Sequence, residues 1–218
     1  MSLVVAKVGG AVAAAAVRDV QALVLQHHKV VVVHGAGPQI TEEMERRGLP
    51  VEFVAGRRVT SAAALEVVCE SVAEVNAALC AALGPAALPL PDGVLEAVPV
   101  PELGLVGNPV FSSPQVVVDA LAAGRIPVVA PLARGPLNVN GDEAAVALAL
   151  GLGAERLVFL TDVPGVLLDG EVAPALPAAE AERLADAWEG GIVPKLLAAA
   201  QAARLGVEAE IGATAVTA

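Results

Sequence analysis

Leu3-Val-Val-Ala-Lys7-Val-Gly9-Gly10, followed by an Ala/Val-rich stretch and then Val30-Val-Val-Val-His34-Gly35-Ala36-Gly37-Pro38, is the part of the sequence that decides the fold. Two short apolar runs each end in glycine and lead into a segment of helical spacing. The order reads strand, turn, helix, strand, turn, helix. Both runs are nearly continuous rather than alternating, as expected of strands covered on both faces. The pattern continues along the chain, with strands expected at 3–8, 30–34, 126–130, 156–161 and 207–211. Helices are expected at 12–27, 38–48, 61–83, 114–123, 141–152, 178–188 and 194–205, and Gly124, Gly153 and Gly206 stand where C-caps belong. The fold class is therefore α/β, a three-layer sandwich around a largely parallel sheet. The proline-rich stretch 84–113 reads equally as edge hairpin or mobile lid. A soft boundary near Arg134-Gly135-Pro136 divides one continuous domain into lobes 1–134 and 135–218.

The 218 residues suit one domain with a sizeable core. Apolar residues make up 56%, with three Phe, one Trp and no Tyr, so small residues must do most of the helix–sheet packing. No apolar run approaches the roughly 18 residues of a membrane span. The apolar N-terminal stretch lacks a basic region before it, which argues against a signal peptide. Thirteen basic against 24 acidic residues give a net charge of −11, which argues against nucleic-acid or anionic-membrane partners. An anionic substrate must then be held by local groups. Cys69 and Cys80 fall on one expected helix, roughly 16 Å apart and beyond disulfide reach, and suit thiols of a cytosolic protein. Three scattered histidines and no cysteine pair with metal spacing offer no transition-metal site.

Lys7 ends a strand expected to be buried, where its charge needs an anion or an open cleft; the plainer alternative is a snorkelling edge lysine. Lys195 follows a second glycine pair, Gly190-Gly191-Ile-Val-Pro194-Lys195, and opens an Ala/Leu-rich helix. The turn His34-Gly35-Ala36-Gly37-Pro38 places proline at a helix entrance and backbone N–H groups where anions bind, or is simply a tight turn. Asn138-Val-Asn140-Gly141-Asp142 puts a carboxylate at a helix start, as a site residue or as part of a turn and N-cap. Gly56-Arg57-Arg58-Val-Thr60 offers a guanidinium fork for a carboxylate, although paired surface arginines are usually just solvated. Thr161-Asp162 end a strand, beyond which ligands of open α/β sheets bind. No GxxxxGK[ST] loop occurs, and Gly35-Ala-Gly37-Pro-Gln-Ile40 lacks the third glycine of GxGxxG. Two cations, one carboxylate to hold them and exposed N–H groups suit phosphoryl transfer, which depends on positioning and charge stabilisation.

Taken in order, Lys7-Val-Gly9-Gly10, His34-Gly35-Ala36-Gly37-Pro38, Gly56-Arg57-Arg58-Val-Thr60, Asn138-Val-Asn140-Gly141-Asp142, Leu160-Thr-Asp-Val-Pro-Gly-Val166 and Gly190-Gly191-Ile-Val-Pro194-Lys195 resemble the amino acid kinase superfamily over nearly the whole chain. Within it, the Arg58-Val-Thr60 and Asn138-Val-Asn140-x-Asp142 pieces are most similar to the acetylglutamate kinases of arginine biosynthesis. The resemblance implies a carbamate kinase-like fold and ATP-dependent phosphorylation of the side-chain carboxylate of N-acetyl-L-glutamate in the cytoplasm. It implies catalytic roles for Lys7 on the transferring phosphoryl, Lys195 on the β–γ side and Asp142 between them. Gly9, Gly10, Gly35, Ala36 and Gly37 would offer N–H groups to phosphoryl oxygens, and Arg58 and Asn138 would take the acceptor. Thr161, Asp162, Val163, Pro164, Gly165, Val166 and Leu167, with Ala187, Trp188 and Glu189, would line the nucleotide site. Mg²⁺ would arrive bound through the ATP phosphates. Lobe 1–134 would then bind the acceptor and lobe 135–218 the nucleotide.

Three departures accompany the resemblance. Ala36 stands where the family usually has a third glycine, and Gly141 where Ala is more usual. The tail passes from Val207-Glu-Ala-Glu-Ile211 straight to Ala213-Thr214, where the family has another helix. Arginine-inhibited members carry an N-terminal helix that joins dimers into hexamers. With the first strand at Leu3, the expectation is a homodimer insensitive to arginine, its apolar patch on the helix at 61–83. Two alternatives remain. A kinase of carrier-linked aminoadipate or glutamate is disfavoured by the −11 charge, which would repel an acidic carrier. A non-catalytic amino-acid or nucleotide sensor is disfavoured by the joint presence of Lys7, Asp142 and Lys195.

Overall fold

The computed structural model describes residues 2–9 and 13–218. In chain order the elements are β1 (Leu3–Val8), α1 (Ala13–Leu25), β2 (Lys29–His34), α2 (Gly37–Arg46), the hairpin β3 (Phe53–Val54) and β4 (Arg57–Arg58), α3 (Ala62–Leu83) and β5 (Ala87–Leu90). The hairpin β6 (Ala97–Pro99) and β7 (Gly107–Pro109) follows, then α4 (Gln115–Ala122), β8 (Ile126–Val129) and the short pair β9 (Leu132–Ala133) and β10 (Leu137–Asn138). The remainder is α5 (Gly141–Leu152), β11 (Arg156–Leu160), the pair β12 (Leu167–Leu168) and β13 (Glu171–Val172), β14 (Ala175–Pro177), α6 (Ala178–Ala187), α7 (Val193–Arg204), β15 (Glu208–Ile211) and β16 (Thr214–Thr217).

Among the described residues, eight strands form the main sheet in the order β14-β16-β15-β11-β1-β2-β8-β5. Every neighbouring pair is parallel except β15 and β16, which a two-residue turn joins antiparallel. From β1 the chain winds outward through β2 on one side and reaches β11 on the other. That reversal of strand order opens a crevice beyond the carboxyl ends of β1, β2 and β11.

Both faces of the sheet are covered, and the strands show it residue by residue. Val5, Val31, Val33, Leu157 and Phe159 pack in one core cluster with α4, α5, α6 and α7. Ala6, Val8, Val30, Val32 and Val128 pack in another with α1 and α3. The two-residue period of a strand thus sends alternate valines into different cores. Helix α5 is buried on nearly every side, Ala144 through Ala149 being at most 1% exposed. Its alanines, and those of α7 from Ala198 to Ala203, replace the aromatic residues the sequence lacks and let the helices approach closely.

All the expected helices form, with ends within one or two residues of the sequence reading. Gly153 caps α5 in the left-handed conformation at φ +64°, while Gly124 and Gly206 follow α4 and α7 at φ +70° and +87°. Strands β5, β14 and β16 lie outside the five expected. The stretch 84–113 supplies both the edge strand β5 and the antiparallel hairpin β6–β7, so the hairpin alternative is the one the structure adopts.

Candidate active site

Three parallel strands end at the crevice. β1 delivers Lys7, β2 leads into the turn before α2, and β11 leads to Thr161 and Asp162. Strand alternation puts Lys7 on the same face as Val5, the face covered by α5. Its stem runs under the first turn of that helix, where a Cβ on Gly141 would lie 3.4 Å from Lys7 Cε. The Asn140 side chain accepts from the N–H groups of Asp142 at 2.8 Å and Glu143 at 3.2 Å, which fixes the turn that aims Asp142.

Asp142 sits between two ammonium groups. Lys7 Nζ stands 2.8 Å from Oδ1. Lys195 Nζ, from the first turn of α7, stands 3.4 Å from Oδ2 and donates to Gly191 O at 3.2 Å. Lys7 and Asp142 are only 6% and 5% exposed. The trio carries a net charge of +1 in a poorly hydrated setting, which is costly until an anion arrives. Burial holds Lys195 below the ordinary lysine range; Asp142 opposes the depression and Lys7 adds to it.

A cavity of about 470 Å³ opens over these groups and brings together Gly9, Gly35, Ala36, Gly37, Arg58, Asn138, Thr161 and Asp162. Arg58 forms part of the acceptor side. Its guanidinium stacks on Phe53 at 4.6 Å and its Nη2 donates to Thr41 Oγ1 at 2.8 Å and Gly37 O at 3.2 Å. Burial lowers its pKa, yet an arginine stays charged. Asn138 Nδ2 donates to Thr60 Oγ1 at 3.0 Å, and that hydroxyl donates to Arg58 O at 2.7 Å, so the two acceptor-side residues share one chain of bonds.

Several expected N–H donors are otherwise engaged. Gly35 N–H donates to Val8 O at 2.9 Å and Gly9 N–H to Leu160 O at 3.4 Å, because both extend the ladder of the parallel sheet. Ala36 caps α2 and Gly37 begins it, at the helix end where N–H groups lack intrahelical partners. Gly10 lies outside the described residues. Of the stretch Thr161 to Leu167, Thr161 and Asp162 face the cavity. Val166 is instead a core residue at 1% exposure, its N–H bonded to Thr214 Oγ1 at 2.8 Å. Gly165 serves the same packing, since a Cβ there would lie 2.7 Å from Thr214 Oγ1 and Val172 Cγ1. Val163, Pro164, Leu167 and Ala187 line neither this cavity nor its neighbour. Trp188 and Glu189 line that neighbour, a more apolar space of about 680 Å³ between the β3–β4 hairpin, α5 and α7.

Two features escaped the sequence. His34 is fully buried, its Nε2 accepting from Asn76 Nδ2 at 3.1 Å, and Asn76 also donates to Val128 O at 2.8 Å. Burial first, and the charge of Lys7 last, lower its pKa to about 4 against the weaker effect of its bond to Gly35 O. It is neutral at pH 7 and adds no charge to the crevice. Arg57, expected to be solvated, bonds Glu143 at 2.9 Å across the crevice. The position of Glu143 beside Asp142 was the one available hint of that partner.

Residues 2–212 match the model of the amino acid kinase family. An acetylglutamate kinase of Rubrobacter xylanophilus is 46% identical over 227 residues, spanning 97% of this chain and 88% of that protein. A crystal structure of a Streptococcus mutans protein superposes with a TM-score of 0.88 at 27% identity, covering 99% of this chain and 98% of that one. Carbamate kinase from Giardia lamblia bound to AMP-PNP superposes at 0.71 with 14% identity, covering 99% of this chain and 98% of that one, a likeness of fold.

Proposed function

The chain belongs to the amino acid kinase family, and on that premise we propose that it transfers the γ-phosphoryl of ATP to the side-chain carboxylate of N-acetyl-L-glutamate, a step of arginine biosynthesis, giving an acyl phosphate and ADP. The observation that carries the reading is Asp142 held between Lys7 and Lys195 at 2.8 and 3.4 Å on the wall of a cavity that Arg58 also lines. A glutamate side chain has a pKa near 4.3 and is ionised at neutral pH. Its oxygen needs no general base, and the difficulty is bringing one anion up to another. Lys7 meets the transferring phosphoryl and Lys195 the β–γ side as ADP leaves, while Asp142 keeps both ammonium groups aimed. The N–H groups of Ala36 and Gly37, at the positive end of α2, take phosphoryl oxygens. Gly9 and Gly35 line the same space as close backbone walls. Arg58 and Asn138 hold the acceptor's α-carboxylate and neighbouring polar groups.

We place the acceptor in lobe 1–134 and the nucleotide in lobe 135–218, with the base beyond Asp162 toward Trp188 and Glu189. Among the described residues no group of three carboxylate, histidine or cysteine side chains gathers to hold a metal. Of the carboxylates on the cavity wall, Asp142 is engaged by both lysines and Asp162 is the other. That small donor set suits a Mg²⁺ ion held mainly by ATP phosphates and water, which supplies further neutralisation of the phosphoryl charge. No helix among the described residues is long and apolar enough to cross a membrane, and a cytoplasmic site of action fits the substrates. The assembly we propose is a homodimer through the exposed face of α3. Val67, Val68 and Val72 of that helix are buried, and its exposed face carries Ala73, Ala77 and Ala81 one turn apart beside Glu66, Glu70 and Glu74.

Coupled ADP release with a panel of acidic acceptors tests the substrate. Acetylglutamate should support turnover and free glutamate should not. Faster turnover of a carrier-linked amino acid would overturn the assignment.

A further inference from the structure

We propose that Arg57 and Glu143 are positioning residues: their ion pair across the crevice holds the β3–β4 hairpin, and with it Arg58, over the acceptor pocket. This rests on the acceptor-side reading of Arg58 given above. Adjacent residues of a strand point to opposite faces, so the two arginines take different partners although both line the cavity. Arg58 is 6% exposed and stacked on Phe53. Arg57 donates from Nε to Glu143 Oε1 at 2.9 Å and from Nη2 to Asn108 Oδ1 at 3.1 Å.

Two further contacts converge on the tip of the same hairpin. Ala55 and Gly56 form its two-residue turn with φ +48° and +75°, the conformation that tightly reverses a hairpin. Gly56 O accepts from Asn140 Nδ2 at 3.1 Å, and Asn140 is the residue that caps α5. A Cβ on Gly56 would lie 3.0 Å from Pro194 Cγ, the residue before Lys195. The tip therefore touches the first turns of the two helices that carry Asp142 and Lys195. With Arg57 bound to Glu143, the guanidinium of Arg58, the carboxylate of Asp142 and the ammonium of Lys195 are held in one fixed relation. Without the bond, the hairpin loses its ion pair to α5, and Arg58 has more freedom to leave the pocket. The effect should fall on acceptor binding, since the hairpin carries acceptor-side groups.

Steady-state kinetics and amide hydrogen exchange on Arg57→Leu, Glu143→Ala and the double variant test the pair. Each single change should raise the acetylglutamate KM by about two- to fivefold, the scale of one partly exposed ion pair, with little change in the ATP KM. The double variant should be no worse than the poorer single one, because each change removes the same contact. In the absence of any substrate, backbone amides of residues 53–58 should exchange faster in both single variants. Additive KM effects, or parental hairpin exchange in the single variants, would overturn the proposal. The exchange arm decides it even if the parent protein proves inactive toward acetylglutamate, a result that would count against the substrate alone.

Discussion

Asp142 is the residue on which the crevice turns, because it makes two neighbouring ammonium groups tolerable and aims both at one point. Removing either ammonium should therefore cost far more than a surface charge. Lys7→Ala and Lys195→Ala should each lower kcat by roughly 10²–10³-fold, the scale of losing one preorganised charge stabiliser. Lys7→Arg should not restore activity, since a planar fork cannot occupy the place of a compact ammonium under α5. Steady-state rates at saturating ATP check both. Arg58 belongs to binding rather than to the charge that develops on transfer, so Arg58→Ala should chiefly raise the acetylglutamate KM; a change confined to the ATP KM would move it out of the acceptor side. These residues were legible because each breaks its surroundings: a lysine ending an apolar strand, an aspartate opening an alanine helix, a lysine after a glycine pair. The partner of Arg57 was not legible, since Glu143 lies 86 positions away and only the folded crevice brings them together.

Among the elements, the tie between β2, α3 and β8 makes a prediction about acid. His34 is held neutral by burial with a folded-state pKa of about 4, below the unfolded 6.5. Between those values the unfolded chain binds a proton that the folded chain refuses, so stability rises with pH through the window. It is fully present above 6.5 and is lost as pH falls toward 4. Urea unfolding should show about 2 kcal/mol of stability lost between pH 7.5 and 5.0 from this group alone, and His34→Gln should remove that part of the slope. An identical pH slope in the variant would contradict the tie. Helices were read from sequence almost to their ends because apolar spacing, glycine stops and a polar cap such as Asn140 mark them locally. Strands β5 and β14 were not, since each is short and contains a proline, Pro89 and Pro177, a residue uncommon inside sheets, though interior β8 carries Pro127. Their places at the two edges of the sheet, where a missing N–H is harmless, are known only once the sheet is assembled. Strand β16 follows directly on the turn at Gly212, whose φ of +55° and approach to Pro164 O leave no room for a side chain.

Across the whole molecule, the net charge of −11 and the cationic crevice pull in opposite directions, so anionic substrates are held by short-range contacts rather than drawn in from afar. If the exposed alanine face of α3 joins two copies, light scattering should report twice the 21.7 kDa chain mass, and Ala77→Arg should halve it. A monomeric parent protein would contradict the dimer. The shape of the fold was evident from two strand–turn–helix units, whereas the pairing of crevice walls required the assembled sheet. The central claim is that phosphoryl passes from ATP to a carboxylate under the charge of Lys7, Asp142 and Lys195. Trapping the product with hydroxylamine tests it most directly, because an acyl phosphate gives a hydroxamate and free phosphate does not. With ATP, Mg²⁺ and N-acetyl-L-glutamate, hydroxamate should form in equal amount with ADP and nearly vanish in Lys7→Ala; ADP formed without hydroxamate, or undiminished hydroxamate in Lys7→Ala, would contradict the account.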